Sequence, residues 1–286
     1  MDLQTANLVS RLLVRFQSEC GRELLTAFSD DPARGDVMSL LRRLAGPLGG
    51  KSARATSIGA LARSLGRPFE TVRRQVHALH HDGLVEVSDE GVRMALEAAD
   101  EGPAAVMYAA VAQHFIRLLH DFAVAGVLVP ASFAPAAVSH EDALLAGLDL
   151  CLCALERNEP QFASWTEMAV VGRALVLNVA RVGSDPVLNR RFGAQGALVP
   201  PPLRQPVSAG RIATELGLPR QTVWPHLAAA AERGIVVRQG RGYLVSPAWL
   251  ASDAVVANAE QILRYAARVI GSLVRTYTPA AAAHPS

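Results

Sequence analysis

One pattern occurs twice in this chain. LARSLGRPFETVRRQVHALHHDGLVEV, from Leu61 to Val87, and IATELGLPRQTVWPHLAAAAERGIVV, from Ile212 to Val237, align without a gap. Ala62 falls on Ala213, Leu65 on Leu216, Gly66 on Gly217, Pro68 on Pro219, Thr71-Val72 on Thr222-Val223 and Gly83 on Gly234, with Ser57 on Ser208 just upstream. One spacing explains every pair, so the chain is restricted to folds that build the same small module two times.

The module itself is legible. In the first copy Ser57 is placed to cap a helix that runs through Leu65, and Gly66 relieves the turn that follows. A second helix continues to about His81, and Gly83 suits the left-handed residue that ends it. LVEVSDEGVRM then sets Leu84, Val85, Val87, Val92 and Met94 on either side of Ser88-Asp89-Glu90-Gly91, a small hairpin. Leu61, Ala62, Leu65, Val72, Val76, Leu79, Leu84 and Val85 form the predicted core of this copy. Ile212, Ala213, Leu216, Val223, Leu227, Ile235 and Val236 form that of the second, whose hairpin is IVVRQGRGYLV.

Long apolar helices flank both copies. Asn7 to Phe28 carries Leu8, Leu12, Leu13, Phe16, Leu24 and Leu25 near a helical period, and Val37 to Leu44 forms a shorter helix. Another helix runs from Pro103 to about Gly126. The Pro, Ala and Ser content of VPASFAPAAVSHED marks a linker. Beyond it Ala143 to Arg157 is helical, Phe162 to Val182 repeats the role of the amino-terminal helix, and Asp253 to Tyr277 is a last helix. The expected organisation is a first repeat over 1–128 (module 56–95), a linker over 129–141, a second repeat over 142–278 (module 207–246) and a disordered tail over 279–286. The fold class is mainly α with small β-hairpins, built by internal duplication.

Helix, turn, helix and two-stranded hairpin is the layout of the winged helix-turn-helix, whose second helix has the width to enter a DNA major groove. The phrasing of both copies resembles bacterial regulators of the MarR and IclR families, over about forty residues per copy, the scale of one supersecondary motif. The long flanking helices favour MarR as the closer relative. The resemblance implies two MarR-type subunits fused in one polypeptide, a single-chain pseudo-dimer of reading heads that would meet half-sites roughly 34 Å apart. It implies a sequence-specific transcription regulator, acting as a monomeric pseudo-dimer or as a homodimer, with double-stranded DNA as partner and a small-molecule effector or a protein as further candidates. A clear counterpart of the Ala143 to Arg157 helix is missing and the surfaces of the copies differ, which speaks against a symmetric site.

Those surfaces name the candidate DNA-binding residues. In the first copy they are Arg67, Glu70, Thr71, Arg73, Arg74 and His77. Arginine there suits guanine edges or phosphates, and Thr71 suits a phosphate. The first wing tip, Asp89-Glu90, would be repelled by phosphate. In the second copy the helix offers Arg220, Gln221, Thr222 and Trp224, and the basic wing Arg238, Gln239 and Arg241, on either side of Gly240, becomes the expected phosphate or minor-groove contact. Pro225 removes an amide at a cost of about 3 kcal/mol in an ordinary helix, so the second reading helix is expected to start later or to kink.

Other chemistry finds little support. Nothing resembles a phosphate-binding glycine loop, a nucleophile with its base or a paired-carboxylate site, so no enzyme is expected. His77 and His81 could share a helix face, but without cysteine nearby no metal is expected, and no cofactor either. The 3 cysteines are read as free thiols, because Cys151 and Cys153 stand two apart in a helix and do not face each other. Trp165, Trp224 and Trp249 are candidates for an effector pocket, with core packing the stronger expectation for Trp165 and Trp249. The formal charge of +2 over 286 residues does not announce a polyanion partner by itself. A tandem winged scaffold like the accessory subunits of condensin-type complexes, or a plasmid replication initiator, are the alternatives. The apolar stretches are interrupted by charge and the amino terminus lacks signal-peptide order, so the chain is expected in the cytoplasm, at the nucleoid.

Overall fold

The computed structural model describes residues 3–29, 31–46, 55–95, 101–185, 188, 192 and 199–278. In chain order it runs α1 (Leu3–Ala27), α2 (Pro32–Ala45), α3 (Ile58–Ser64), α4 (Phe69–His81), β1 (Val85–Ser88), β2 (Gly91–Met94) and α5 (Gly102–Ala125). Then follow α6 (His140–Asn158), α7 (Trp165–Asn178), α8 (Ala180–Ser184), α9 (Ala209–Leu216), α10 (Arg220–Glu232), β3 (Val236–Gln239), β4 (Gly242–Val245), α11 (Pro247–Leu250) and α12 (Asp253–Tyr277). The protein is mainly helical, with two small antiparallel hairpins. The 279–286 tail lies outside the described residues.

The two copies of the sequence pattern fold alike, with equivalent residues 151 positions apart throughout. The hydroxyls of Ser57 and Ser208 each accept from the amide three residues on, at 3.2 Å, and start α3 and α9. Pro68 and Pro219 precede α4 and α10 with fixed φ. Gly83 and Gly234 end those helices with φ of 73° and 72°. In each hairpin the first and last strands pair in the same register, Val85 with Met94 and Val236 with Val245. An isolated bridge from upstream, Thr56 to Val92 and Val207 to Tyr243, ties the incoming chain to each two-stranded hairpin. That approach leaves room only for hydrogen: a Cβ on Gly91 would stand 2.8 Å from the Thr56 backbone, and one on Gly242 2.9 Å from Pro206.

The predicted core residues of both units are buried, with Leu84 half-buried. Around them the helices make two apolar cores. The larger joins α1, α2, α3–β2, α5, α6 and α12, while the smaller joins α7 to α9–β4 and receives Leu25 from α1. Within the larger, Phe16 meets Phe115 edge-on at 6.0 Å, an arrangement that suits the quadrupoles of the two rings.

Two expectations are corrected here. Residues 129–141 do not separate the cores: Val129, Phe133 and Val138 are buried in the larger one, and α6 beyond them belongs to it as well. Proline and alanine set an irregular backbone there, but three apolar side chains still have a core to enter. Phe162 to Val182 likewise does not repeat α1. It divides into α7 and α8, and α7 carries the second unit as α2 carries the first, while α6 lies against α12 as α1 lies against α5. The break after Asn178 has a cause. Its backbone carbonyl accepts from the Gln205 amide (2.8 Å), while its side-chain amide donates to the carbonyls of Gln205 (2.8 Å) and Tyr243 (3.0 Å) and its side-chain oxygen accepts from the Val245 amide (2.9 Å), so the residue serves the hairpin.

The halves interlock. α2 packs against α6, and α7 packs against α1. Arg43 reaches Asp149 and Arg42 reaches Glu141, both at 2.5 Å, across the first of these seams. Arg173 reaches Glu19 at 2.8 Å and the Ser18 carbonyl at 3.1 Å across the second. No helix of the described residues is long and apolar enough to cross a membrane.

Candidate nucleic-acid interface

On α4 the buried positions are Val72, Gln75, Val76 and Leu79, a stripe at helical spacing that fixes which residues face out. Glu70, Arg73, Arg74 and His77 are exposed and Thr71 is half-buried, so these five expected residues share one accessible side of the unit. Arg73 donates to Glu70 at 2.9 Å, an exposed pair one helical turn apart. Phe69, at the start of the same helix, is also exposed.

Arg67 does not join them. Its side chain, 8% exposed, turns inward to Asp36 at 2.7 Å, which is 3% exposed and lies on α2. It therefore belongs to the joint between α2 and the unit and is withdrawn as a DNA contact. The sequence held a faint signal in Asp36, an acid inside a run of α2 that is buried from Arg34 to Arg42; a charge so placed needs a partner. Arg34 of the same run binds Asp82 at the end of α4. The Asp82 carboxyl is held below its ordinary value by its hydrogen bond from His81 and then by Arg34.

The second unit presents the matching side. Val223, Leu227 and Ala230 face inward; Arg220, Gln221, Trp224 and Pro225 are exposed and Thr222 is half-buried. α10 begins at Arg220 and runs unbroken to Glu232 with Pro225 inside it, so the later start does not occur. A proline at this place has no amide to give the carbonyl of Gln221, so one intrahelical bond is missing there. Trp224 is 56% exposed. Arg233, at the end of α10, binds Glu167 of α7, a carboxylate with 0% exposure that also accepts from the Ala163 amide at 2.6 Å. Glu167 and Asn178 were missed in the sequence because polar residues inside a short helix look like its solvated face.

The hairpin tips carry opposite charge. Asp89 and Glu90 are exposed at the first, and Arg238, Gln239, Gly240 and Arg241 at the second. The strands of the first are tied by an exposed Glu86–Arg93 pair.

The tryptophans do not converge on one pocket. Trp249 meets Phe162 edge-on at 5.9 Å. Trp165 packs against both cores and lines a cavity of about 110 Å³ with Arg67, Phe162 and Met168. A larger cavity, about 270 Å³, lies between the end of α3, α6 and α12, and its lining includes Asp149, Cys153, Arg157, Tyr265 and Arg268. His80 Nδ1 lies 3.0 Å from the Val85 carbonyl and His81 Nδ1 3.2 Å from Asp82. Cys20, Cys151 and Cys153 are free, and among the described residues no group of three or more His, Cys, Asp or Glu is placed to hold a metal ion.

A family model described as HVO_A0114 matches residues 38–99, which take in most of α2 and the whole first unit. No curated protein and no solved structure matches the chain.

Proposed function

We propose that this protein is a sequence-specific, duplex-DNA-binding transcription regulator, a single-chain pseudo-dimer of two MarR-like winged helix-turn-helix units that arose by internal duplication. The observation that carries the reading is the pair of helix–turn–helix–hairpin units in one register, each leaving the outer side of its second helix open to solvent. A helix of that width fits a major groove, and exposed arginines on it or on the adjacent hairpin supply phosphate and base contacts. The interlocked seams between α2 and α6 and between α7 and α1 support a fixed spacing of the two heads, which in an ordinary dimer would depend on association.

Binding to duplex DNA should weaken steeply as salt rises, because each neutralised phosphate releases counterion. A filter-binding titration at two salt concentrations tests this, and no duplex binding at the lower one rejects it. Arg73→Ala with Arg74→Ala should lower affinity by roughly tenfold or more and flatten the salt slope, from the loss of guanine or phosphate contacts.

A second reading, an interaction scaffold, is favoured by the acidic Asp89-Glu90 tip and by exposed Phe69 and Trp224, which suit a protein surface. Recovery of one stable partner that survives nuclease treatment, together with absent duplex binding, would select it.

A further inference from the structure

We propose that the two units read different base chemistry, so that the protein binds a non-palindromic duplex with a G·C half under α4 and an A·T half under α10 and the second hairpin. This rests on the DNA-binding reading above. It follows from comparing equivalent exposed positions. Arg73 and Arg74 of the first unit are Trp224 and Pro225 in the second, while Phe69, Val87 and Glu90 become Arg220, Arg238 and Arg241. The cations leave the middle of the helix and reappear at its start and on the hairpin.

Each set has a chemical match. On α4, guanidinium groups suit the O6 and N7 of guanine, and Glu70, bonded to Arg73, suits the N4 amino group of cytosine. On α10 the arginines of the helix centre are replaced by a ring and a proline. An indole ring offers no forked donor pair to the O6 and N7 acceptors of guanine, but its face packs on the C5-methyl of thymine. Gln221, exposed one turn before Pro225, carries an amide that pairs with adenine N6 and N7. The hairpin agrees with the helix. Arg238 and Arg241 are exposed on either side of Gly240, whose φ of 57° turns the tip, and arginine is drawn to the narrow minor groove of A-tracts. The acidic Asp89-Glu90 tip is barred from such a groove.

The test is selection of full-length protein on a randomised duplex library, followed by base replacement in the selected site. The expected product has one G·C-specified half and one A·T-specified half with no twofold symmetry. An inverted repeat with the same bases in both halves overturns this inference and leaves the DNA-binding reading standing; no enrichment of any duplex overturns both. Thymine→uracil replacement in the A·T half should weaken binding about fivefold, in the range of a lost apolar base contact, and should leave Trp224→Ala unaffected. Uracil without effect on the unsubstituted protein removes the methyl contact from the proposal. Arg238→Ala with Arg241→Ala should abolish the A·T preference while the G·C preference survives, and loss of both preferences together overturns the division between the units.

Discussion

The two units have one backbone and two opposite characters. Position 82 is an aspartate that binds Arg34 of α2, and its equivalent, position 233, is an arginine that binds Glu167 of α7. The anchor survives although every charge in it is reversed. What the joint requires is a partner for its buried member, Arg34 on α2 or Glu167 on α7, since that charge left unpaired would face a large desolvation cost. The interior is under the tighter rule. Leu61, Ala62 and Leu65 correspond to Ile212, Ala213 and Leu216 with no change of character, because any polar group at those buried places would lie in apolar contact. The exposed residues between obey neither constraint and differ most between the units.

The sharpest way to break the comparison is to remove one member of each anchor. Arg233→Ala leaves the carboxylate of Glu167 buried with only the Ala163 amide, and should cost about 3–4 kcal/mol in urea unfolding. Asp82→Ala should cost clearly less, because the partner it leaves, Arg34, keeps 10% exposure where Glu167 has none. Equal losses would show that the anchors carry the same load. Next come the hairpins. Gly91→Ala and Gly242→Ala each push a methyl into the incoming chain, and Gly91 also has a φ of 130°, so about 2 kcal/mol is expected at Gly91 and somewhat less at Gly242. Thermal unfolding of the two variants measures the order.

Pro225→Ala should move the other way. Restoring the bond to the Gln221 carbonyl should stabilise the protein by about 1 kcal/mol, below the full proline penalty because α10 already accommodates the ring. A fall in melting temperature would mean that the proline is used by the second unit to hold its shape. The smallest effect belongs to the seam between α7 and α1. Burial acts to raise the pKa of Glu19, but Arg173, with Arg22 and His114, outweighs it and holds the carboxyl below its ordinary 4.5. A depressed carboxylate contributes stability that is complete above that value and is lost as pH falls through the folded one. Acid unfolding followed by ellipticity should therefore show a steeper loss below pH 4.5 in the unsubstituted protein than in Arg173→Met, which lacks the pairing.

Much of the local structure was legible. Serine caps, glycine ends and alternating hairpin residues act through neighbours a few positions away, and the helix–turn–helix–hairpin units form where those signals stand. The exposed sides of α4 and α10 followed from the apolar stripe, which left Arg73, Arg74 and Trp224 nowhere to go but outward. Arg67 was misplaced because its partner, Asp36, comes from another helix, and periodicity within one element says nothing about pairing between two. The same blindness hid the exchange of roles between α1, α2, α6 and α7. Helices of similar apolarity are interchangeable by pattern, and only the packing of α7 on α1 and of α2 on α6 tells them apart.

That exchange sets a timetable for synthesis. Glu19 and Arg173 are 154 positions apart, so α1 emerges from the ribosome long before α7, which covers one of its sides, exists. At ordinary elongation speeds the wait is roughly 8–30 s. Through that interval Leu25, destined for the core around α7, has no cover of its own, and the nascent chain must be kept from sticking to its neighbours until its second half arrives.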